Sequence, residues 1–197
     1  MPLPSAPPPW LVGWIALVAS AVSLIISGAT FFLTQRRPNI RLVLPLRLRL
    51  AVHPKGDAWL YMQPIFVNVG RSTRADVVDD IRLELTDTDG TRRHLEYIEK
   101  SKTVWDSQRR EVHVEYADEA APIIVAQNAV RSDMLTFKMS TQSSFLAGDY
   151  SGILFARSVA SNKLLQARFT VTIDEHHVST WRESDGRRFA MLSVARH

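Results

Sequence analysis

The sequence of 197 residues contains no cysteine, and this absence removes several classes of structure and chemistry. Without thiols the chain can form no disulfide framework, no cysteine-ligated metal centre and no thiol nucleophile. A reducing compartment is compatible with this composition, although many exported bacterial proteins also lack cysteine. Arginine outnumbers lysine 19 to 5, which indicates a GC-rich, bacterial genome.

Patterns that carry catalysis or bind metals are also lacking. There is no G-x-S-x-G nucleophile elbow and no glycine-rich phosphate loop, and the six histidines show no recurrent metal-ligand spacing. The stretch "DTDG" begins like a calcium loop, but Ile98 stands at its twelfth position, where a glutamate is needed. The sequence therefore predicts no metal site, no cofactor and no enzyme activity. An enzyme would need a polar cleft with converging titratable groups.

Charge is absent from the first 33 residues. The apolar run "WLVGWIALVASAVSLIISGATFFL", residues 10–33, follows a Pro-rich tail at residues 1–9. As a helix with a rise of about 1.5 Å per residue it would be about 36 Å long, enough for a hydrocarbon core of about 30 Å. We predict a transmembrane helix. The alternative is a cleaved signal peptide, but no Lys or Arg precedes the run, the run is long, and Ser27-Gly28-Ala29 is a weak cleavage site.

Positive charge is concentrated directly after this run. Residues 34–55 contain six basic side chains and no acid, whereas residues 56–197 carry a formal charge of −2. Basic residues beside a span favour the cytoplasmic side, so we predict an inner (plasma) membrane protein with a cytoplasmic C-terminal domain and no nucleic-acid partner. We predict contact with membrane lipid headgroups, with about 1 kcal/mol from each of the three strand arginines Arg41, Arg47 and Arg49; the contact residues are Arg36, Arg37, Arg41, Arg47 and Arg49. The alternative is that these arginines form an ordinary solvated face.

After a basic linker at residues 34–39, the pattern changes to a period of two. Apolar residues occupy every even position from Ile40 to Val52, which is typical of a strand with one buried face, and Pro45 is expected to divide the run. We predict no amphipathic helix in residues 40–197 but an all-β fold, an antiparallel β-sandwich. The further strands are predicted at 59–69, 81–86, 91–98, 111–116, 134–140, 150–156, 164–173, 178–182 and 188–194.

Two hairpin turns can be tested for register. A three-residue loop at 88–90, with Gly90 in the left-handed conformation, places Leu83 opposite Leu95 and Ile81 opposite Tyr97. The same reasoning selects a loop at 184–186, ending in Gly186, because Trp181 would then face Phe189.

Two stretches, "FVNVGRSTRADVVDDIRLEL" and "LAGDYSGILFA", resemble bacterial immunoglobulin-like and cell-adhesion-related sandwich domains. In the first, Asn68 and Gly70 end a strand; in the second, Tyr150 opens a late strand with a hydroxyl that ties down a corner. The resemblance implies an immunoglobulin-like sandwich and brings no functional residue with it. The predicted structural turn residues are Asn68, Gly70, Gly90, Tyr150 and Gly186.

Small and hydroxyl residues recur within the apolar run at intervals of 3, 4, 3, 4 and 3: Gly13, Ala16, Ser20, Ser23, Ser27 and Thr30. Such a stripe lets two membrane helices approach closely and form hydrogen bonds, so we predict a homo-oligomer assembled through the span. The alternative is that small residues are simply common in membrane helices, since several others lie off the stripe.

These features together predict a membrane-anchored, non-catalytic interaction or sensing module with a protein partner of unknown identity. The alternative is a membrane-active effector, in which assembly of the helix perturbs the bilayer and the sandwich controls that assembly.

Overall fold

The computed structural model describes residues 8–53, 57–70, 74–107, 111–139, 145–184 and 188–196. They form one long N-terminal helix followed by an antiparallel β domain that contains a second, short helix. The helices are α1 (Pro9–Gln35) and α2 (Glu175–Glu183). The strands are β1 (Ile40–Val43), β2 (Arg47–Val52), β3 (Ala58–Met62), β4 (Ile65–Asn68), β5 (Asp76–Asp87), β6 (Arg92–Asp106), β7 (Glu111–Glu119), β8 (Ile123–Val125), β9 (Val130–Arg131), β10 (Met134–Met139), β11 (Gly148–Ser158), β12 (Lys163–Ile173), β13 (Ala190–Ser193) and β14 (Ala195–Arg196).

Most strands belong to one sheet with the order β13-β2-β3-β10-β6-β5-β11-β12-β14, and β7 and β8 add to β6 and β5. Its two edge strands, β13 and β14, are consecutive in the chain and separated only by Val194. The last described segment therefore pairs with β2 on one side and with β12 on the other, which nearly closes the sheet into a barrel-like form. A smaller sheet has the order β1-β4-β9. The predicted antiparallel β architecture is confirmed at this level.

The alternating run after the linker divides as expected. β1 pairs with β4 in the small sheet and β2 pairs with β3 in the large one, and Pro45 lies in the break between them. The stretch predicted as one strand at 59–69 also divides, because Gln63 and Pro64 separate β3 from β4. Proline cannot donate to a ladder, so both proline positions mark the point where the chain changes sheets.

The loop between β5 and β6 gives the predicted pair of Leu83 with Leu95, but the ladder ends at Arg82 and Glu96 and does not include the predicted pair of Ile81 with Tyr97. Leu83 lies opposite Leu95, and both side chains are buried. The backbone N–H of Asp87 donates to the carbonyl of Thr91 at 3.2 Å, and Gly90 has φ +83°. The prediction of a three-residue loop is confirmed.

The prediction of a strand at 178–182, paired in a hairpin with 188–194, is wrong, as is the expectation that no helix interrupts the strands. Residues 175–183 form α2, and Asp174 caps it: its carboxylate accepts from the backbone N–H of His177 at 2.8 Å. Val178 and Trp181, three residues apart, lie on the buried face of this helix. Residues Asp185 and Gly186 of the predicted turn lie outside the described residues.

The core is aliphatic and aromatic and takes side chains from both sheets; Phe66 of the small sheet and Phe137 and Phe169 of the large one are among its largest fully buried side chains. Trp181 of α2 joins this core, and its Nε1–H donates to the backbone carbonyl of Leu50 at 3.0 Å. This contact joins the helix to β2.

Candidate functional site

The most distinctive feature of the molecule is α1, whose side chains do not pack against the β domain. At 27 residues it is about 40 Å long, and the most apolar 18-residue window within Trp10–Gln35 has a mean hydropathy of 2.2 and is not buried at any position. It is long and apolar enough to span a membrane. Trp10 and Trp14 lie in its first turns and Phe31 and Phe32 in its last, which is where aromatic side chains are enriched at bilayer interfaces.

All members of the predicted small-residue stripe lie on α1 and are exposed: Gly13, Ala16, Ser20, Ser23, Ser27 and Thr30. A methyl group added at Gly13 would meet no atom within 4 Å. The Thr30 hydroxyl donates to the carbonyl of Ile26 at 2.8 Å, so its proton is already used within the helix. The structure thus leaves this face of α1 open to another helix or to lipid.

The five predicted lipid-contact arginines divide into two groups. Arg36, Arg37, Arg41 and Arg47 have exposed side chains. Arg49, in contrast, is half-buried and contacts other parts of the domain surface: its Nη1 donates to Thr103 Oγ1 at 3.2 Å, and its guanidinium lies 5.0 Å from the centroid of the Phe189 ring. Arg49 therefore connects β2 with β6 and with the segment before β13.

Hydrogen bonds join the linker to the nearest turns of the β domain. The backbone N–H of Val69 donates to the carbonyl of Asn39 at 2.9 Å. Asn68 is buried; its backbone N–H donates to the carbonyl of Ala129, and its Oδ1 accepts from the N–H of Gly70 at 3.2 Å. These contacts fix the turn after β4 to the point where the chain enters the domain.

A buried carboxylate extends this cluster to the turn between β11 and β12. Asp76, which is 1% exposed, accepts from Ser158 Oγ at 2.5 Å, from the N–H of Ala160 at 3.0 Å and from the N–H of Val77 at 2.8 Å. The backbone N–H of Val159 donates to the carbonyl of Val77 at 2.9 Å. Sequence reasoning did not find Asp76, because nothing local distinguishes it from other carboxylates.

These contacts bring four segments together at one end of the domain. We call this end the linker end; it consists of residues 36–39 of the linker and residues 68–70, 126–130 and 158–162.

At the opposite end, Tyr150 lies in the position proposed from the sequence. Its hydroxyl donates to the carbonyl of Leu146 at 3.0 Å and accepts from the N–H of the same residue at 3.1 Å. Beside it lies an ion pair between Arg93 Nη1 and Asp87 Oδ2 at 2.8 Å, in which Arg93 is 8% exposed. The hydrogen bond from Arg93 holds the pKa of Asp87 below its ordinary value. The pair and the tyrosine together order the chain at this end.

A polar cleft of about 460 Å³ lies beside β6, β7 and β9. Three of its charged lining groups form ion pairs: Arg131 Nε lies 2.9 Å from Asp133 Oδ2, and Lys102 Nζ lies 3.3 Å from Glu115 Oε2. Hydrogen bonds from His113 and Lys102 hold the pKa of Glu115 below its ordinary value. The described lining residues include hydroxyls, amines and carboxylates but no histidine. The lining residues are Gln63, Lys100, Ser101, Lys102, Thr103, Ala117, Asp118, Arg131, Ser132, Asp133 and Met134.

The described part of the chain contains no group of three or more His, Cys, Asp or Glu side chains that could together hold a metal ion. The candidate functional site of this protein is the surface that α1 exposes. It extends to the exposed arginines that follow α1 and to the linker end of the β domain.

Comparisons with known proteins include a distant structural similarity. No family model matches the chain, and no curated protein matches it. A crystal structure of the protein named ApaA from Bordetella pertussis aligns over 94% of its own chain and 68% of this one, with 10% identity and a TM-score of 0.35. A similarity at this TM-score carries no argument about fold or function.

Proposed function

We propose that this chain is a single-pass membrane protein whose β domain is a non-catalytic interaction or sensing module held at the cytoplasmic face of the inner (plasma) membrane. The observation that supports this most is the exposure of α1. Leu24 and Ile25 are 77% and 69% exposed, and other large apolar side chains along the helix are similarly open. A soluble monomer rarely exposes a continuous apolar surface larger than a few hundred Å², so a helix of this kind needs lipid around it.

The proposed orientation can be tested with thiol chemistry, because the chain has no native cysteine. Thr88 lies exposed at the tip of the loop between β5 and β6, and Ser5 precedes α1. In intact cells, an impermeant thiol reagent should leave Thr88→Cys unlabelled and should label Ser5→Cys. Lysed cells should give labelling at both positions. The physical reason is that Arg36 and Arg37 retain the C-terminal flank on the cytoplasmic side.

The reciprocal design provides the control, because each variant is exposed where the other is protected. Labelling of Thr88→Cys in intact cells, with protection of Ser5→Cys, would reverse the orientation. Labelling of both positions in intact cells would show that the chain does not cross the membrane in a single direction.

We further propose that copies of the chain associate through the stripe on α1. Gly13 lies on the stripe, whereas Gly28 follows Ser27 and is therefore turned about 100° away. A Cβ at either glycine would meet nothing within 4 Å in the single chain. Gly13→Leu should weaken association by about 1–2 kcal/mol, or roughly tenfold in the dissociation constant, because membrane helices associate through close packing rather than hydrophobic burial.

Gly28→Leu is the matched control, since it adds the same side chain to the same helix away from the stripe. Energy transfer between full-length chains labelled at Thr88→Cys and reconstituted in vesicles measures both variants. Equal transfer for wild type and Gly13→Leu would reduce α1 to a simple tether.

We also propose that the β domain is related to immunoglobulin-like and cell-adhesion-related sandwich domains. The support is local: the Tyr150 hydroxyl bonds the backbone of Leu146 in the manner of a tyrosine corner, and Asn68 bonds the backbone of the turn that contains Gly70. In this proposal these residues are structural, and binding specificity resides on the surface of the module.

A further inference from the structure

The linker that joins α1 to the β domain is short and fixed. Four residues, 36–39, separate Gln35 from Ile40, and they span at most about 14 Å when extended. Pro38 is buried, and Asn39 accepts the hydrogen bond from Val69. A Cβ on Gly70 would lie 2.8 Å from the backbone N of Asn39, so the turn after β4 packs directly on the linker. The domain therefore has little freedom to move away from the end of the helix.

The length of α1 places this junction beside the bilayer. The helix is about 40 Å long, and a bilayer with its headgroup layers is about 40–45 Å thick. A spanning α1 thus ends within or just beyond the headgroup layer. The linker end of the β domain, which begins less than 14 Å farther along the chain, then lies at the level of the headgroups.

Aliphatic side chains project from this end, where polar residues are usual in turns. Val69, Val130 and Val159 are 42%, 64% and 50% exposed. Val69 lies in the turn after β4 and bonds Asn39. Val130 directly follows the turn whose Ala129 carbonyl accepts from Asn68. Val159 lies in the turn between β11 and β12 and bonds Val77. Exposure of these apolar side chains to water is unfavourable, and their transfer to the interfacial layer of a bilayer lowers the free energy.

The charges at this end complement an anionic surface. Arg36, Arg37 and Arg41 are exposed. The carboxylate of Asp76 is buried in its three hydrogen bonds, and Asp79 accepts from Arg157 Nε at 3.1 Å. These positive side chains are therefore exposed to lipid phosphates, whereas the Asp76 carboxylate is satisfied by hydrogen bonds inside the domain and Asp79 is paired with Arg157.

We propose that the linker end of the β domain docks on an anionic lipid surface, with Val69, Val130 and Val159 in the interfacial layer and Arg36, Arg37 and Arg41 at the phosphates. This inference rests on the proposed anchoring by α1 and adds a second, peripheral contact to it. The domain would then lie on the bilayer in one orientation, with the Tyr150 end pointing away.

The test uses the full chain in nanodiscs, with an environment-sensitive nitrobenzoxadiazole dye on a single introduced cysteine. The three variants are Val130→Cys, Val159→Cys and the control Leu146→Cys. Leu146 is also apolar and 59% exposed, but it lies beyond the other end of β11, about 35 Å from Ser158 along the strand. Discs of phosphatidylcholine and phosphatidylglycerol carry a lipid with a nitroxide near the headgroup end of its acyl chain. The dye at positions 130 and 159 should lose most of its emission, and the dye at 146 should keep it.

Each other outcome has a distinct meaning. A chain that does not co-purify with the discs would overturn the proposed anchor itself. An anchored chain with no quenching at 130 and 159, or with equal quenching at all three positions, would overturn only the docking. A blue-shifted emission at position 130 without quenching by lipid would indicate that protein, such as a second copy, covers this face, and would also overturn it. In discs of phosphatidylcholine alone the quenching at 130 should fall several-fold; unchanged quenching would remove the anionic lipid from the proposal.

Discussion

Replacing Trp181 by alanine is expected to lower the free energy of unfolding of the β domain by about 3–5 kcal/mol, the usual cost of deleting a large buried aromatic side chain. Trp181 is 3% exposed, packs in the main core and donates through Nε1 to the carbonyl of Leu50. Its removal leaves a cavity under α2 and also an unsatisfied carbonyl on β2. Urea titration of the full chain in detergent, followed by far-ultraviolet circular dichroism, measures the loss.

Two further variants separate the components of this effect. Trp181→Phe keeps most of the apolar volume but cannot donate to Leu50, so it should lose about 1–3 kcal/mol. Arg182→Ala, at the next and exposed position of the same helix, should change stability by less than about 0.5 kcal/mol. A stability of Trp181→Ala equal to that of wild type would mean that α2 does not contribute to the core.

Gly152→Ala should be the second most damaging substitution, with an expected loss of about 1–3 kcal/mol from overpacking. Gly152 lies on β11 directly opposite Phe169 of β12, and the phenyl ring covers it. A Cβ at position 152 would overlap the Phe169 ring. Phe169 is 1% exposed, so the ring has to displace other core side chains in order to move.

A double-mutant cycle tests this explanation. Phe169→Leu removes the ring, so Gly152→Ala should cost markedly less in the Phe169→Leu background than in wild type, with a coupling of about 0.5–3 kcal/mol. Ser151→Ala, at the exposed neighbouring position on β11, is the control and should be nearly neutral. Additive effects at positions 152 and 169 would show that the ring is not what excludes a methyl group.

Local patterns predicted the parts of the fold that local physics decides. The period of two after the linker identified β1 and β2, and Pro45 identified the break between them, because a residue without an N–H interrupts a ladder wherever it stands. The pairing of Leu83 with Leu95 followed from one glycine and one buried face. Neither prediction depends on distant parts of the chain.

The failure at α2 also has a physical cause. A hairpin here would let Trp181 face Phe189 across a turn, whereas helix capping favours α2. Asp174 and His177 are spaced as a capping pair, and Val178 and Trp181 are three apart, which is the spacing of one helical face. Both signals are present in the sequence, and together they would have favoured the helix.

Long-range pairing could not be predicted from these patterns. The near closure of the large sheet depends on the pairing of β13 with β2 and of β14 with β12, and the first pairing joins residues about 140 positions apart.

The composition of the candidate site also depends on contacts between distant parts of the chain. The sequence identified α1 and the arginines, but only the structure shows that Arg49 is occupied by Thr103 and Phe189, and that exposed valines gather beside the linker.

The central claim is that α1 holds this protein in a membrane, and one measurement tests it most directly. Membranes from cells that express the full chain are washed at alkaline pH, which releases peripheral proteins and cleaved domains, and are then sedimented. The chain should remain in the pellet at its full mass and should enter solution only with detergent. Recovery of the chain in the alkaline supernatant, or of a shortened chain that lacks α1, would contradict the account.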